Sequence, residues 1–252
     1  MKLGMPILFE YDSLIDNVKL AKQLGFEFIE LNLNFSCCRD ELSNKEIIEY
    51  LINSDLEFTI HFFDEFDAAS YDEVVEGYIK ILENYLELSK DLNIKLLNIH
   101  LNEGPIVTIS GIKNYLYEKE YNLYISKLKN NLSKIKKLLN KYNIELVLEN
   151  VKTPNFIVNT YIDLVKEGFS FNYDIGHDYI DKNIIIDLID KHNLKFNEFH
   201  FHDAMNKKCH LVLGEGNMNL SYYKSLITDQ YVVLEVKSSN DLIKSIKRFN
   251  EI

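Results

Sequence analysis

"IELVLENV" at residues 144–151 and "GFSFNYDIG" at residues 168–176 are short apolar runs, and each carries one acid near its end, Glu149 and Asp174. An apolar run of this length bounded by turn residues reads as a strand buried on both faces, the form strands take in a parallel sheet. The chain between them is long enough for one helix, so the stretch reads as a β-α-β unit. The same unit recurs in both directions. "GFEFIELN" (25–32), "LEFTIHFF" (56–63), "IKLLNIHL" (94–101), "FNEFHFHD" (196–203) and "YVVLEVK" (231–237) repeat the pattern, with "KLGMPILF" (2–9) as a weaker opener, which makes eight runs. Between them lie segments at helical spacing. Residues 72–92 place Val74, Val75, Tyr78, Ile79, Leu82, Tyr85, Leu86 and Ser89 on one stripe, and residues 121–142 do so with Tyr124, Ile125, Leu128, Leu132, Ile135, Leu138, Leu139 and Tyr142. The lysines of "KLKNNLSKIKK" fall on the opposite, solvated face. Strand and helix alternate without a Pro/Gly/Ser-rich linker, so residues 1–252 read as a single α/β domain. Eight units in this length match a closed (β/α)8 TIM barrel, with an open doubly wound sheet as the alternative. "GEGNMN" is too short and misplaced to be a dinucleotide fingerprint.

Composition narrows the function. The formal charge is -11 and there are only two arginines, Arg39 and Arg248, which argues against a nucleic-acid partner. The opening "MKLGMPILFEYD" lacks a signal-peptide pattern, and no apolar run approaches membrane-spanning length, so a soluble cytoplasmic protein without a membrane partner is expected. Cys37, Cys38 and Cys209 form neither a C-x-x-C pair nor an even disulfide framework, and are expected to be reduced thiols. His192 falls near a probable helix C-terminus, where an imidazolium suits the helix dipole.

In a β/α barrel the site is built where the strands end. Here those ends carry Glu30, His61, His100, Glu149, Asp174, His200 and Glu235. Seven such ends converging on one axis would bury several carboxylates together, which is costly unless a cation compensates them. Carboxylate and imidazole without thiolate suit one divalent ion, Mn2+, Co2+, Mg2+, Fe2+ or Zn2+.

The motifs "LVLEN", "YDIGHD", "FHFHDA", "HLVLGEG" and "VVLEV", in this order, resemble the xylose isomerase-like TIM barrel superfamily (AP endonuclease family 2). This group includes sugar phosphate isomerases and epimerases, inosose-type isomerases and dehydratases, and endonuclease IV. The resemblance implies a four-ligand metal site of Glu149, Asp174, His200 and Glu235; Glu149 and Glu235 come from nonadjacent strands and could flank the substrate as the catalytic pair. It implies that His61, His100, His177 and His210 line the substrate pocket, and it leaves room for a second metal near His61 and His100. Gly214 and Gly216 match the turn that closes the pocket. The family's seventh-strand pattern assigns the metal to His200 and Asp203 to the final aspartate. His202, two residues on, is then expected at the pocket rim, where it and Lys237 could contact substrate.

Lys208 stands where the endonuclease branch needs an aspartate for its three-metal cluster, and a lysine there opposes a third cation. The resulting expectation is a metal-dependent isomerase or epimerase acting on a small sugar, sugar phosphate or related polyhydroxy carbonyl compound through an enediolate. The alternatives are a dehydratase on the same metal site and an endonuclease IV-like phosphodiester hydrolase acting on abasic DNA. The partner is a small molecule, and the sequence leaves room for a homo-oligomer.

Overall fold

A computed structural model of the chain describes residues 1–192 and 194–252. Eight parallel strands close into a barrel: β1 Lys2–Pro6, β2 Phe28–Asn32, β3 Glu57–His61, β4 Ile94–Leu101, β5 Glu145–Asn150, β6 Ser170–Asp174, β7 Phe196–Phe201 and β8 Tyr231–Leu234. Each strand pairs with its sequence neighbours, and β8 closes the ring by pairing with both β7 and β1. All eight runs read from the sequence are barrel strands, which rules out the open sheet.

The outer layer holds α1 Leu14–Leu24, α2 Lys45–Ile52, α3 Asp72–Leu88, α4 Tyr121–Leu139, α5 Asn155–Lys166, α6 Ile184–His192, α7 Leu220–Ser225 and α8 Ser239–Glu251. Local chemistry sets their ends. Ser13 caps α1 by accepting from the Asp16 N–H, and Gly25 ends it in the left-handed region at φ 78°. Ser238 caps α8 in the same way through the Asp241 N–H. The α4 stripe is buried at Tyr124, Leu128, Leu132, Ile135, Leu138 and Leu139, while none of its lysines is buried. Burying such side chains stabilises the helix-on-sheet layer by about 1.5–3 kcal/mol each. On α3 the stripe is narrower than the spacing predicts: Val75, Leu82, Tyr85 and Leu86 are buried, but Val74 is half exposed. α6 ends on His192, as its position in the sequence suggests.

Two antiparallel hairpins stand outside the barrel. Ile106–Ile109 pairs with Ile112–Tyr115, and Asp203–Met205 pairs with Lys208–Leu211. The first turns at Ser110 and Gly111, both left-handed (φ 50° and 80°), a backbone suited to a tight hairpin. The second folds back over the mouth of the barrel and carries His210. Cys37 and Cys38 lie on a short helix, Ser36–Asp40, and all three cysteines are free. Among the described residues, no helix is long and apolar enough to cross a membrane.

Candidate active site and metal centre

Strand register decides which side chains meet. Parallel pairing aligns His100 of β4 with Glu149 of β5, Glu149 with Asn172 of β6, and Asn172 with Glu198 of β7. One step further along the axis, Asp174 aligns with His200, and His200 with Val233. Register neighbours point the same way from the sheet, so these polar groups form adjoining rungs inside the barrel.

Both rungs converge on His200, which is fully buried. Its Nδ1 lies 3.4 Å from Glu149 Oε2, 3.2 Å from Glu235 Oε2 and 4.0 Å from Asp174 Oδ2. All four residues expected to hold a metal are therefore gathered around one nitrogen. Burial by itself would lower the His200 pKa, but Glu149, Glu30 and Glu235 outweigh it and hold the value well above the usual one. Burial would raise the two glutamates. Instead His200 and His100 pull Glu149, and His210 and His200 pull Glu235, well below the usual carboxylate range. Asp174 is likewise lowered despite burial, by His177 and His202.

The second cluster adjoins Glu235. His210 Nε2 and Lys237 Nζ lie 3.1 and 3.0 Å from Glu235 Oε1. His210 occupies a left-handed backbone (φ 56°), an unusual position for a side chain of this size. His177 sits on a short helix, Ile175–Ile180, whose N-cap is Asp174, and its Nε2 is 3.8 Å from Asp174 Oδ2. On the other flank, His61 and His100 meet through their Nε2 atoms at 3.1 Å, and these nitrogens lie 3.6 and 3.7 Å from Glu149. Burial lowers the His100 pKa, whereas Glu30 and Glu149 raise that of His61 against its burial.

His202 departs from the expected rim position: it is fully buried. The chain leaves the barrel after Phe201, and the hairpin folds back so that the His210 N–H donates to His202 Nδ1 at 2.9 Å. The opposite nitrogen, Nε2, lies 3.1 Å from both oxygens of Asp174. Gly176 makes room for the ring, since a Cβ there would overlap the imidazole. Lys237, by contrast, is largely exposed, as a rim residue should be.

Several polar residues of the site went unremarked in the sequence. Asn98 and Asn172 both donate to Glu149 Oε2, the latter at 3.2 Å. Asn150 clips the Asp174 backbone at both groups, donating to its carbonyl at 2.8 Å and accepting from its N–H at 2.9 Å. Glu198 is fully buried with neither carboxylate oxygen hydrogen-bonded, and burial followed by Glu30 pushes its pKa well above the usual range. Their signal was present: Asn98, Asn172 and Glu198 each stand two residues before His100, Asp174 and His200, on the same face of a strand.

Two buried atoms at the centre, His200 Nδ1 and Glu235 Oε2, make no hydrogen bond although they lie 3.2 Å apart. Such orphaned polar atoms are rare in protein interiors. One imidazole nitrogen surrounded by three carboxylates is the donor set of a hard or borderline divalent ion, so the residues present fit a metal. Ligand atoms of Glu149, Asp174 and His200 lie within 4.8 Å of one another, as do those of Asp174, His202, His210 and Glu235, and those of His61, His100 and Glu149.

Residues 18–251 match the model of the xylose isomerase-like TIM barrel family. The chain belongs to this family. It matches no curated protein by sequence. Among solved structures it is similar to a D-tagatose 3-epimerase-like protein, with a TM-score of 0.77 and 22% identity over 100% of this chain and 96% of the other. It is also similar to the IOLI protein with a bound zinc atom (TM-score 0.76, 14% identity, 100% and 97% covered). A third similar structure is the 3-keto-D-glucoside 4-epimerase of E. coli (TM-score 0.74, 11% identity, 100% and 98% covered). At these identities the likeness establishes the shared fold.

Proposed function

We propose that this family member is a divalent-metal-dependent isomerase or epimerase of a small polyhydroxylated carbonyl compound. The observation that carries the reading is the approach of two glutamates, Glu149 buried on β5 and Glu235 largely buried just past the nonadjacent strand β8, to the unpartnered Nδ1 of His200. Sugar epimerases among the similar structures support the substrate class. Glu149, Asp174, His200 and Glu235 would hold the ion, which supplies Lewis-acid stabilisation of negative charge on substrate oxygens.

Glu149 and Glu235 perform the proton transfers. Both are held ionised by neighbouring imidazoles, so either can act as base toward a proton next to the carbonyl. One glutamate removes that proton, giving the enediolate. In isomerisation the same, now protonated, glutamate returns it to the neighbouring carbon; in epimerisation the other glutamate takes up a solvent proton and delivers it to the opposite face while the first releases its own. Lys237, close to Glu235 and largely exposed, is placed to hold a substrate hydroxyl or anionic group. His61, His100, His177 and His210 ring the same mouth and supply donors to substrate oxygens. His202 acts on substrate only through Asp174 and His210, since it has no exposed surface.

The test is an isomerisation and epimerisation screen on sugars, keto-inositols and hydroxypyruvate with added Mn2+, Co2+ or Mg2+. Glu149→Gln and Glu235→Gln are each expected to reduce turnover by about 100-fold or more, the range for a lost general base. Turnover that survives both substitutions, or survives chelation, refutes the reading. A product lighter by one water would identify a dehydratase on the same site.

A further inference from the structure

Glu30 stands at an inner strand position, yet the proton transfers above do not use it. It belongs to β2, whereas His200 belongs to β7, and β1 and β8 lie between them around the ring. The two side chains meet across the barrel interior, with His200 Nε2 3.1 Å from Glu30 Oε1, and both are at most 2% exposed. The other nitrogen of the same ring, Nδ1, is the orphaned atom that faces Glu149, Asp174 and Glu235.

We propose that Glu30 is a positioning residue: its carboxylate accepts the Nε2–H of His200 and thereby directs the Nδ1 lone pair at the metal site. The inference rests on the reading that His200 ligates a metal. A neutral imidazole carries one N–H, and the hydrogen bond at one nitrogen fixes which nitrogen is free to ligate. A carboxylate is the strongest neutral-ring acceptor available to a protein, and its charge also makes the imidazole a better electron donor. Geometry gives the assignment its specificity. Glu198 lies in the same buried layer, with ligand atoms of Glu30, Glu198 and His200 within 4.8 Å of one another, but neither of its oxygens is hydrogen-bonded to the ring. Of two buried glutamates near one ring, only Glu30 bonds it, and this difference makes a controlled comparison.

The experiment is a Co2+ titration of the full chain, followed by the visible d–d spectrum, for the wild type, Glu30→Gln, Glu30→Leu and Glu198→Gln. Imidazole 15N NMR at a pH where the ring is neutral accompanies it, with thermal melting as the check on folding. Glu30→Gln, nearly isosteric, is expected to weaken Co2+ binding about 10- to 100-fold, the range for a lost outer-sphere carboxylate. Glu30→Leu should weaken it further and abolish the preference for Nε2–H, whereas Glu198→Gln should leave both readouts unchanged. Equal losses in the Glu30 and Glu198 variants, no loss in either Glu30 variant, or an Nδ1–H tautomer in the wild type would overturn the proposal. A wild type that binds no Co2+ but keeps Nε2–H would refute the metal reading while upholding the Glu30–His200 contact.

Discussion

Replacing Asp203 by asparagine tests how the mouth of the barrel is held. Asp203 follows β7 and is 1% exposed. Its Oδ1 accepts from the N–H groups of Ala204 (2.8 Å) and Met218 (3.2 Å), and its Oδ2 from those of Gly214 and Gly216 (both 2.9 Å). One carboxylate thus gathers four backbone donors from a loop that also carries His210. The two glycines of the H-x-x-x-G-x-G motif follow from this geometry: Gly214 is left-handed at φ 92°, and a Cβ at Gly216 would overlap the Asp203 carboxylate and the Ala204 carbonyl. Asparagine keeps the shape but can offer its oxygen to only one pair of donors, so its NH2 group must face the other pair. With two N–H groups left without an acceptor, buried at Ala204 and Met218 or part-buried at Gly214 and Gly216, at about 1–2 kcal/mol each, the cost is about 2–4 kcal/mol. For a chain of this size that lowers Tm by about 5–15 °C. Thermal melting followed by circular dichroism measures it, and denaturant unfolding checks the free energy independently. A variant that melts within about 1 °C of the wild type would show that the four hydrogen bonds do not hold the loop.

The remaining predictions concern the proposed metal. His200→Ala should abolish high-affinity binding, whereas His202→Ala, which removes a partner of Asp174, should weaken it by about 10-fold; isothermal titration with Zn2+ distinguishes them. Complete loss in His202→Ala would mean that the metal sits on the other side of Asp174, among His202, His210 and Glu235. Binding should tighten as pH rises toward the raised His200 pKa, because the ion must displace a proton from Nδ1, with about one proton released per ion. Titrations in two buffers of different ionisation enthalpy measure that release. In the protein alone the sign is opposite for stability. The raised His200 pKa contributes stability that is complete below its ordinary value and is lost as pH rises through the folded one. The lowered Glu149 and Glu235 contribute stability that is present above their ordinary value and is lost as pH falls.

The barrel was legible because strand and helix periods alternate cleanly, and because a polar residue ending an apolar strand has few places to go. The same logic located Glu149, Asp174, His200 and Glu235. The orientation of His202 was not legible. Alternation along β7 would carry it to the rim, but the strand ends at Phe201 and the ring is turned by the His210 N–H, an interaction that exists only once the hairpin has folded. The Glu30–His200 contact spans 170 positions and depends on ring closure, which no local pattern encodes. The other hairpin has a local signal, Ser110-Gly111 between Ile109 and Ile112, but it belongs to no β-α-β unit.

Ring closure has a kinetic consequence. β8 joins β1 through pairings such as Lys2 with Tyr231, among the most sequence-distant contacts in the molecule, and the loop entropy of such contacts must be spent before they return anything. Glu235 follows that closing strand, and Glu30 reaches His200 only across the completed ring. A folding intermediate lacking β8 would therefore hold Glu149, Asp174 and His200 in an open trough, with unpaired strand edges on both sides. Such a species is prone to pair with its own kind, so a cation that waits for the closed ring would also drain the population of chains still exposed to aggregation.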